Sequence, residues 1–227
     1  IDKYDPANPP SIYKRNQSIA FNNRKRERER ERESSYINEG SAEAAQEYID
    51  RLNKLFDVSG KAKESIKLAN IALSLHKNSA LAYFYRANAK KQLEDYQGSI
   101  DDLTISIKLD SNYPWSYYNR GWAKNRLEDY TGAISDYTKA IKIKPDYSSA
   151  YYNRGWLKNR LEDYTGAISD FTKAIKIKPD YSSAYNNRAV AKNNLEDYTG
   201  AISDYTKAIQ IKPDYSSAYN NRAVAKN

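Results

Sequence analysis

The chain has 227 residues, room for one or two domains, and its apolar share of 40% leans on 22 tyrosines, which suits an elongated molecule with much exposed surface. It contains no cysteine, which excludes disulfides, thiolate zinc sites and thiol nucleophiles, and His76 as the only histidine leaves no zinc-ligand set. A net charge of +8 favours acidic partners without requiring nucleic acid.

The first element in chain order is an expected extended, charged arm at residues 1–40. Pro6, Pro9 and Pro10 favour extended chain there. The Arg-Glu alternation from Arg24 to Glu33 is nearly balanced in charge, and as a helix it would set like charges at i,i+4. Three roles are open to it: a solvated linker or short charged helix, a nucleic-acid arm, or an anchor using Tyr4, Ile12, Tyr13, Ile19 and Phe21 on a partner. Interleaved glutamates weaken the nucleic-acid reading, since they repel phosphate. The chain opens at Ile1 with no charged-then-apolar leader, which reads as a processed form or a fragment. No run approaches the roughly 20 apolar residues of a membrane span, so a soluble protein is expected, with a cytoplasmic setting favoured.

Residues 41–79 read as a diverged repeat or capping helix pair. The stretch AAQEYIDRLNKLFDV would turn Ile49, Leu52 and Phe56 inward. Its partner, SGKAKESIKLANIALSLHKNS, carries a stripe of Ile66, Ala69, Ala72 and Leu73. His76 falls at the end of that second helix, where a terminal capping role is expected.

From residue 80 onward the chain repeats itself. LEDY recurs at Leu127, Leu161 and Leu195, 34 residues apart, with a relative at Leu93. The phase divides the array into 80–113, 114–147, 148–181, 182–215 and a partial unit 216–227. Each unit predicts two helices. In the third unit they run roughly from Ser149 to Leu161 and from Thr165 to Lys178. Ala167, Ile168, Phe171, Ala174, Ile175 and Ile177 make one apolar stripe on the second helix. Thr165 is the expected cap of that helix, Pro179 its stop, and Asp180 or Ser182 the cap of the next. Gly155 lets the two helices approach closely. An arginine ladder (Arg86, Arg120, Arg154, Arg188, Arg222) and an aspartate ladder (Asp102, Asp136, Asp170, Asp204) predict ion pairs across repeats. The partial unit ending at Asn227 reads as a truncation or as a lone helix covering the last unit.

These residues resemble the tetratricopeptide repeat family, as a tandem array of bacterial type. The third unit has Tyr151, Gly155, Tyr164, Ala167, Phe171, Ala174 and Pro179 in the family's slots, and the second has Tyr117, Gly121, Tyr130, Ala133, Tyr137, Ala140 and Pro145. The fourth follows with Ala189 in place of glycine. The first departs, with Ser99, Leu103, Ser106 and Ser111 in four of the slots. The resemblance implies an all-α, right-handed superhelical solenoid of helix-turn-helix repeats, whose first helices line an inner, ligand-holding surface.

The copies differ in few places. From Tyr117 on, the second and fourth units exchange Tyr118 for Asn186, Gly121 for Ala189, Trp122 for Val190, Arg126 for Asn194 and Lys142 for Gln210. Tyr118, Trp122 and Arg126 are four residues apart and share one helix face. The scaffold is copied while this face varies. Its early part offers Phe84, Trp115, Tyr118, Trp122, Tyr152 and Trp156; its late part offers Asn186, Val190, Asn220 and Val224. Asn119, Asn153, Asn187 and Asn221 form a ladder suited to pairing with an extended peptide backbone. The aromatics supply apolar contact area, and Arg126 and Arg160 sit at the rim for acidic groups. Tyr118 and Tyr152 are expected to be exposed. Two readings stay open for the tryptophans, groove lining or packing in the seam between repeats, and the gradient could equally be drift after duplication.

Some members of the family grip a chaperone's terminal carboxylate with lysines, an arginine and asparagine. Here the lysine slots hold Phe84, Tyr118, Trp122 and Ser149, so the clamp is incomplete and that role is not expected. Glu128-Asp129 and its copies sit in turns, where turn chemistry explains them better than acid-base catalysis. No enzyme and no cofactor is expected. The expected function is protein binding or scaffolding within a multi-subunit complex. The alternatives are a permanent structural subunit anchored by the arm and, less favoured, nucleic-acid binding through the basic surface.

Overall fold

The computed structural model describes residue 28, residues 41–56 and residues 58–225, so the arm expected at 1–40 lies outside the described residues save at residue 28. What is described is helical: α1 (41–55), α2 (Ala62–Leu75), α3 (Ala80–Gln92), α4 (Tyr96–Leu109), α5 (Pro114–Arg126), α6 (Tyr130–Ile143), α7 (Ser148–Arg160), α8 (Tyr164–Ile177), α9 (Ser182–Asn194), α10 (Tyr198–Ile211) and α11 (Ser216–Val224). Helices α3 to α10 form four hairpins that stack in sequence order. Each first helix packs on its own second helix and on the one before it, so α5 lies between α4 and α6. First helices also meet first helices, α3 with α5 and α7 with α9.

Small residues set the crossings. A Cβ on Gly155 would lie 3.1 Å from Asp170 Cβ and from Phe171 Cε1, and one on Gly121 would lie 3.1 Å from Tyr137 Cε1. Beneath them the alanines of the second helices, among them Ala133, Ala140, Ala167 and Ala174, are fully buried with Tyr137 and Phe171. At the start of the stack, Ala45, Ile49 and Leu52 of α1 share a core with Leu68, Ala69 and Ala72 of α2 and Ala82 of α3. Phe56, expected inward, is exposed at one edge while its ring lies 5.9 Å from that of Phe84.

The turn inside each hairpin has a mechanism of its own. Glu94 and Glu128 take a left-handed φ of 61°, and Glu162 and Glu196 one of 62°. That conformation lets Asp129 N–H reach back to Lys124 O (2.9 Å) and Glu128 N–H to Asn125 O (3.1 Å), the paired closure of a helix C-terminus. Asp129 then caps α6 by accepting from Gly132 N–H at 2.9 Å. Asp163 does the same for α8, so Thr165 is not the cap. Neither Asp180 nor Ser182 caps α9: Tyr181 occupies that position without a side-chain bond.

The two charge ladders pair within repeats and not across them. Arg120 donates to both oxygens of Asp136 (2.9 and 2.7 Å), and Lys124 closes on Asp136 Oδ2 at 2.9 Å. The trio recurs as Arg86, Lys90 and Asp102; Arg154, Lys158 and Asp170; Arg188, Lys192 and Asp204. The aspartates are buried, so these pairs are not weak surface contacts. Helical geometry explains the register: both ladders sit where a first helix crosses its own partner. What crosses the repeat boundary is the third guanidinium nitrogen, from Arg120 to Thr104 (3.1 Å) and from Arg154 to Thr138 (3.0 Å).

Candidate binding surface on the first helices

Helices α3, α5, α7, α9 and α11 contain no aspartate or glutamate. The stripe away from the Arg-Asp-Lys trios carries the residues singled out by sequence, and the structure sorts them into two sets.

The first set is turned into the seams between units. Tyr118 and Tyr152 are half-buried and not exposed as expected. Tyr118 packs against Tyr147 (centroids 4.8 Å apart) and Tyr137 (5.6 Å), while Tyr152 stacks on Tyr181 at 4.9 Å and meets Phe171 at 5.8 Å. Each hydroxyl reaches forward one unit. Asn153 Nδ2 donates to Tyr118 OH at 2.9 Å, and Asn187 Nδ2 to Tyr152 OH at 2.8 Å. Part of the asparagine ladder is therefore spent on repeat-to-repeat contacts. Asn119 is buried: its Nδ2 donates to Trp115 O at 2.9 Å and its Oδ1 accepts from Lys91 Nζ at 2.9 Å. Phe84, 3% exposed, is core, edge-on to Tyr85 and Tyr113. It offers no face to a guest, because Phe56 and Tyr113 cover it.

The second set is less enclosed, although Trp122 packs edge-on against Tyr96 of the preceding hairpin at 5.8 Å. Trp115 is 41% exposed and Trp156 36%; Trp122 is half-buried. Each indole carries a cation. Lys144 Nζ lies 5.8 Å from Trp115, and Arg126 lies 5.8 Å from Trp122, which also has Lys91 at 5.3 Å. Arg160 lies 5.7 Å from Trp156. The two arginines are exposed and also cover tyrosines of the preceding hairpin, Arg126 over Tyr96 at 5.4 Å and Arg160 over Tyr130 at 5.0 Å. Such cation–π contacts hold each guanidinium against the rings at the surface.

Sequence reasoning missed Tyr147 and Tyr181, which seat Tyr118 and Tyr152, and their counterpart Tyr113, which packs on Phe84 and Trp115. Burial, as the first cause, raises all three phenols, Tyr113 to about 12. The signal was available: Tyr147, Tyr181 and Tyr215 recur 34 residues apart just before each first helix. The fourth unit shows what the variation does. Asn186 replaces the reaching tyrosine, is buried, and leaves its Oδ1 without a partner. Val190 takes the indole position and Asn194 the arginine position.

A profile described as tetratricopeptide repeat matches residues 114–147, 148–181 and 182–215. No curated protein matches the chain by sequence. Among solved structures, YrrB, described as a tetratricopeptide protein with an unusual peptide-binding site, is similar at a TM-score of 0.68 and 22% identity, covering 78% of this chain and 90% of that one. MamA from Desulfovibrio magneticus RS-1 is similar at 0.67 and 19%, covering 75% and 96%. The first such domain of Spaghetti (RPAP3), bound to an HSP90 peptide, is similar at 0.50 and 26%, covering 52% and 93%.

Proposed function

Through residues 114–215 the chain belongs to the tetratricopeptide repeat family, and on that premise we propose that it is a non-catalytic scaffold that holds a peptide or helix of a partner protein on its first-helix face, inside a multi-subunit assembly. One observation carries this reading. The fourth unit builds α9 with the same length and register as α5 and α7 while having Ser183 where α5 has Trp115, and Val190 where α5 and α7 have Trp122 and Trp156. The hairpin therefore does not need indoles there, and large rings left open to water in only two units are better explained by a guest. Trp115, Trp122 and Trp156 supply the apolar area. Asn153 and Asn187 each keep amide valences beyond the tyrosine bond for a peptide backbone. Tyr118 and Tyr152 act from beneath, fixing the asparagines. Peptide recognition is stated for YrrB and for the Spaghetti domain, and it supports the same use of the fold here.

The test is pull-down followed by mass spectrometry, comparing the intact chain with a Trp115→Ala/Trp122→Ala/Trp156→Ala variant. Partners lost by the variant at an unchanged melting temperature support the reading. A variant that melts many degrees lower, or one that keeps every partner, overturns it.

A further inference from the structure

Resting on that reading, we infer that the guest is an extended, acidic peptide segment whose carboxylates dock on two guanidinium-over-indole stations one repeat apart, Arg126 on Trp122 and Arg160 on Trp156.

The argument begins from how charge is distributed over the first helices. Their cations divide in two. Arg120, Lys124, Arg154 and Lys158 are each tied to a buried aspartate of the second helix. Each trio sets two cations on one carboxylate and so keeps a net +1, but its cations are held against the second helix with side chains only 15–23% exposed. Arg126 and Arg160 are exposed, and among the described residues neither makes an ion pair; their contacts are the rings of Trp122 with Tyr96 and of Trp156 with Tyr130. Among the acids nearest in sequence, Asp129 and Asp163 cap α6 and α8, and Glu128 and Glu162, which take the left-handed turn position, form no ion pair with either arginine. The third indole supplies an internal contrast. The Lys144 that lies over Trp115 is already paired with Asp146 at 3.0 Å. That site is electrically closed, while the other two are open.

Neither guanidinium makes a hydrogen bond or ion pair among the described residues, so its N–H fork is available to a carboxylate through two parallel hydrogen bonds. An adjoining apolar side chain of the guest would meet the indole. The spacing argues against a polynucleotide. Its backbone presents a charge at every nucleotide, whereas here one open cation is offered per 34-residue unit, in two units, with Asn194 at the corresponding place in the fourth. A peptide with separated carboxylates matches two isolated forks.

The probes are fluorescein-labelled dodecapeptides of alternating glutamate and leucine, the same peptide with glutamine for glutamate, and the same with lysine, alongside a single-stranded oligothymidine. Anisotropy is read against the full chain and against Arg126→Gln, Arg160→Gln and the double variant. The glutamate peptide binds the full chain at least roughly tenfold more tightly than the glutamine peptide. Its affinity falls with salt, and the double variant removes the preference for glutamate over glutamine. Arg126→Lys recovers only part of the preference, because lysine keeps the charge but not the planar fork. Equal binding of the glutamate and glutamine peptides overturns the charge inference and leaves the groove reading intact. Binding of every peptide unaltered by Trp122→Ala and Trp156→Ala overturns the groove reading itself. Tighter binding of oligothymidine than of the glutamate peptide, or no binding of any peptide, also overturns the inference.

Discussion

Tyr137 and Phe171 hold the same place in consecutive units, both wholly buried, and differ by one hydroxyl. The Tyr137 hydroxyl has no hydrogen-bond partner: nearby Asn153 gives its amide to Tyr118 instead. A buried donor left unmade costs about 1 kcal/mol or more. Tyr137→Phe is therefore expected to be neutral or to stabilise by about 1 kcal/mol, read as a rise in denaturant midpoint at constant slope. Asp170 is the opposite case. Its buried carboxylate receives Arg154 at 2.6 Å and Lys158 at 3.0 Å, and truncation strands two cations. Asp170→Ala is expected to destabilise by about 3 kcal/mol, the low end for breaking a buried pair, because both cations keep some contact with water. Chemical denaturation measures it, and a loss below about 1 kcal/mol would mean that the trio contributes register and not stability.

At the scale of helices and turns, the same Glu-Asp dipeptide serves two elements at once. Its aspartate caps the second helix, and its glutamate closes the first from a left-handed backbone that costs a side-chain-bearing residue roughly 1 to 2 kcal/mol. Glu128→Gly keeps the closure and relieves that cost. It is expected to stabilise by about 1 kcal/mol, with Glu128→Val lowering the melting temperature instead. This turn also shows what the sequence made legible. The hairpin boundaries fell within a residue or two, because the 34-residue period and the apolar stripe fix them. The caps were misassigned, because threonine and serine are as capable as aspartate when propensity alone is consulted, and only the backbone geometry selects Asp163 and leaves α9 without a side-chain cap. The candidate face was legible as the stripe that varies, yet its division into seam and surface was not. Tyr118 and Trp122 lie on the same stripe, and which one turns inward depends on Tyr147, which belongs to the next turn.

Over the whole molecule, the phenols that stitch the hairpins together make the stack sensitive to alkali. Burial is the first cause of a raised pKa at Tyr113, Tyr118, Tyr137, Tyr147, Tyr152, Tyr181 and Tyr205. Tyr113 and Tyr205 each move from 10.0 to about 12. The folded chain thus holds these protons more tightly than the unfolded chain. Below pH 10 both states are protonated and the stabilisation is fully present. As pH rises from about 10 towards 12 the unfolded chain ionises first, and stability falls across that window. Because each unit buries its rings against its neighbours, ionisation in one seam loosens the next. Helical circular dichroism should therefore fall in this range together with the part of the phenolate absorbance that belongs to the buried rings. Tyr205→Phe, which removes one such proton from the fourth unit, should move the transition to higher pH. Phenolate from the buried rings appearing a full pH unit before helicity is lost would mean that water reaches the seams without opening the stack.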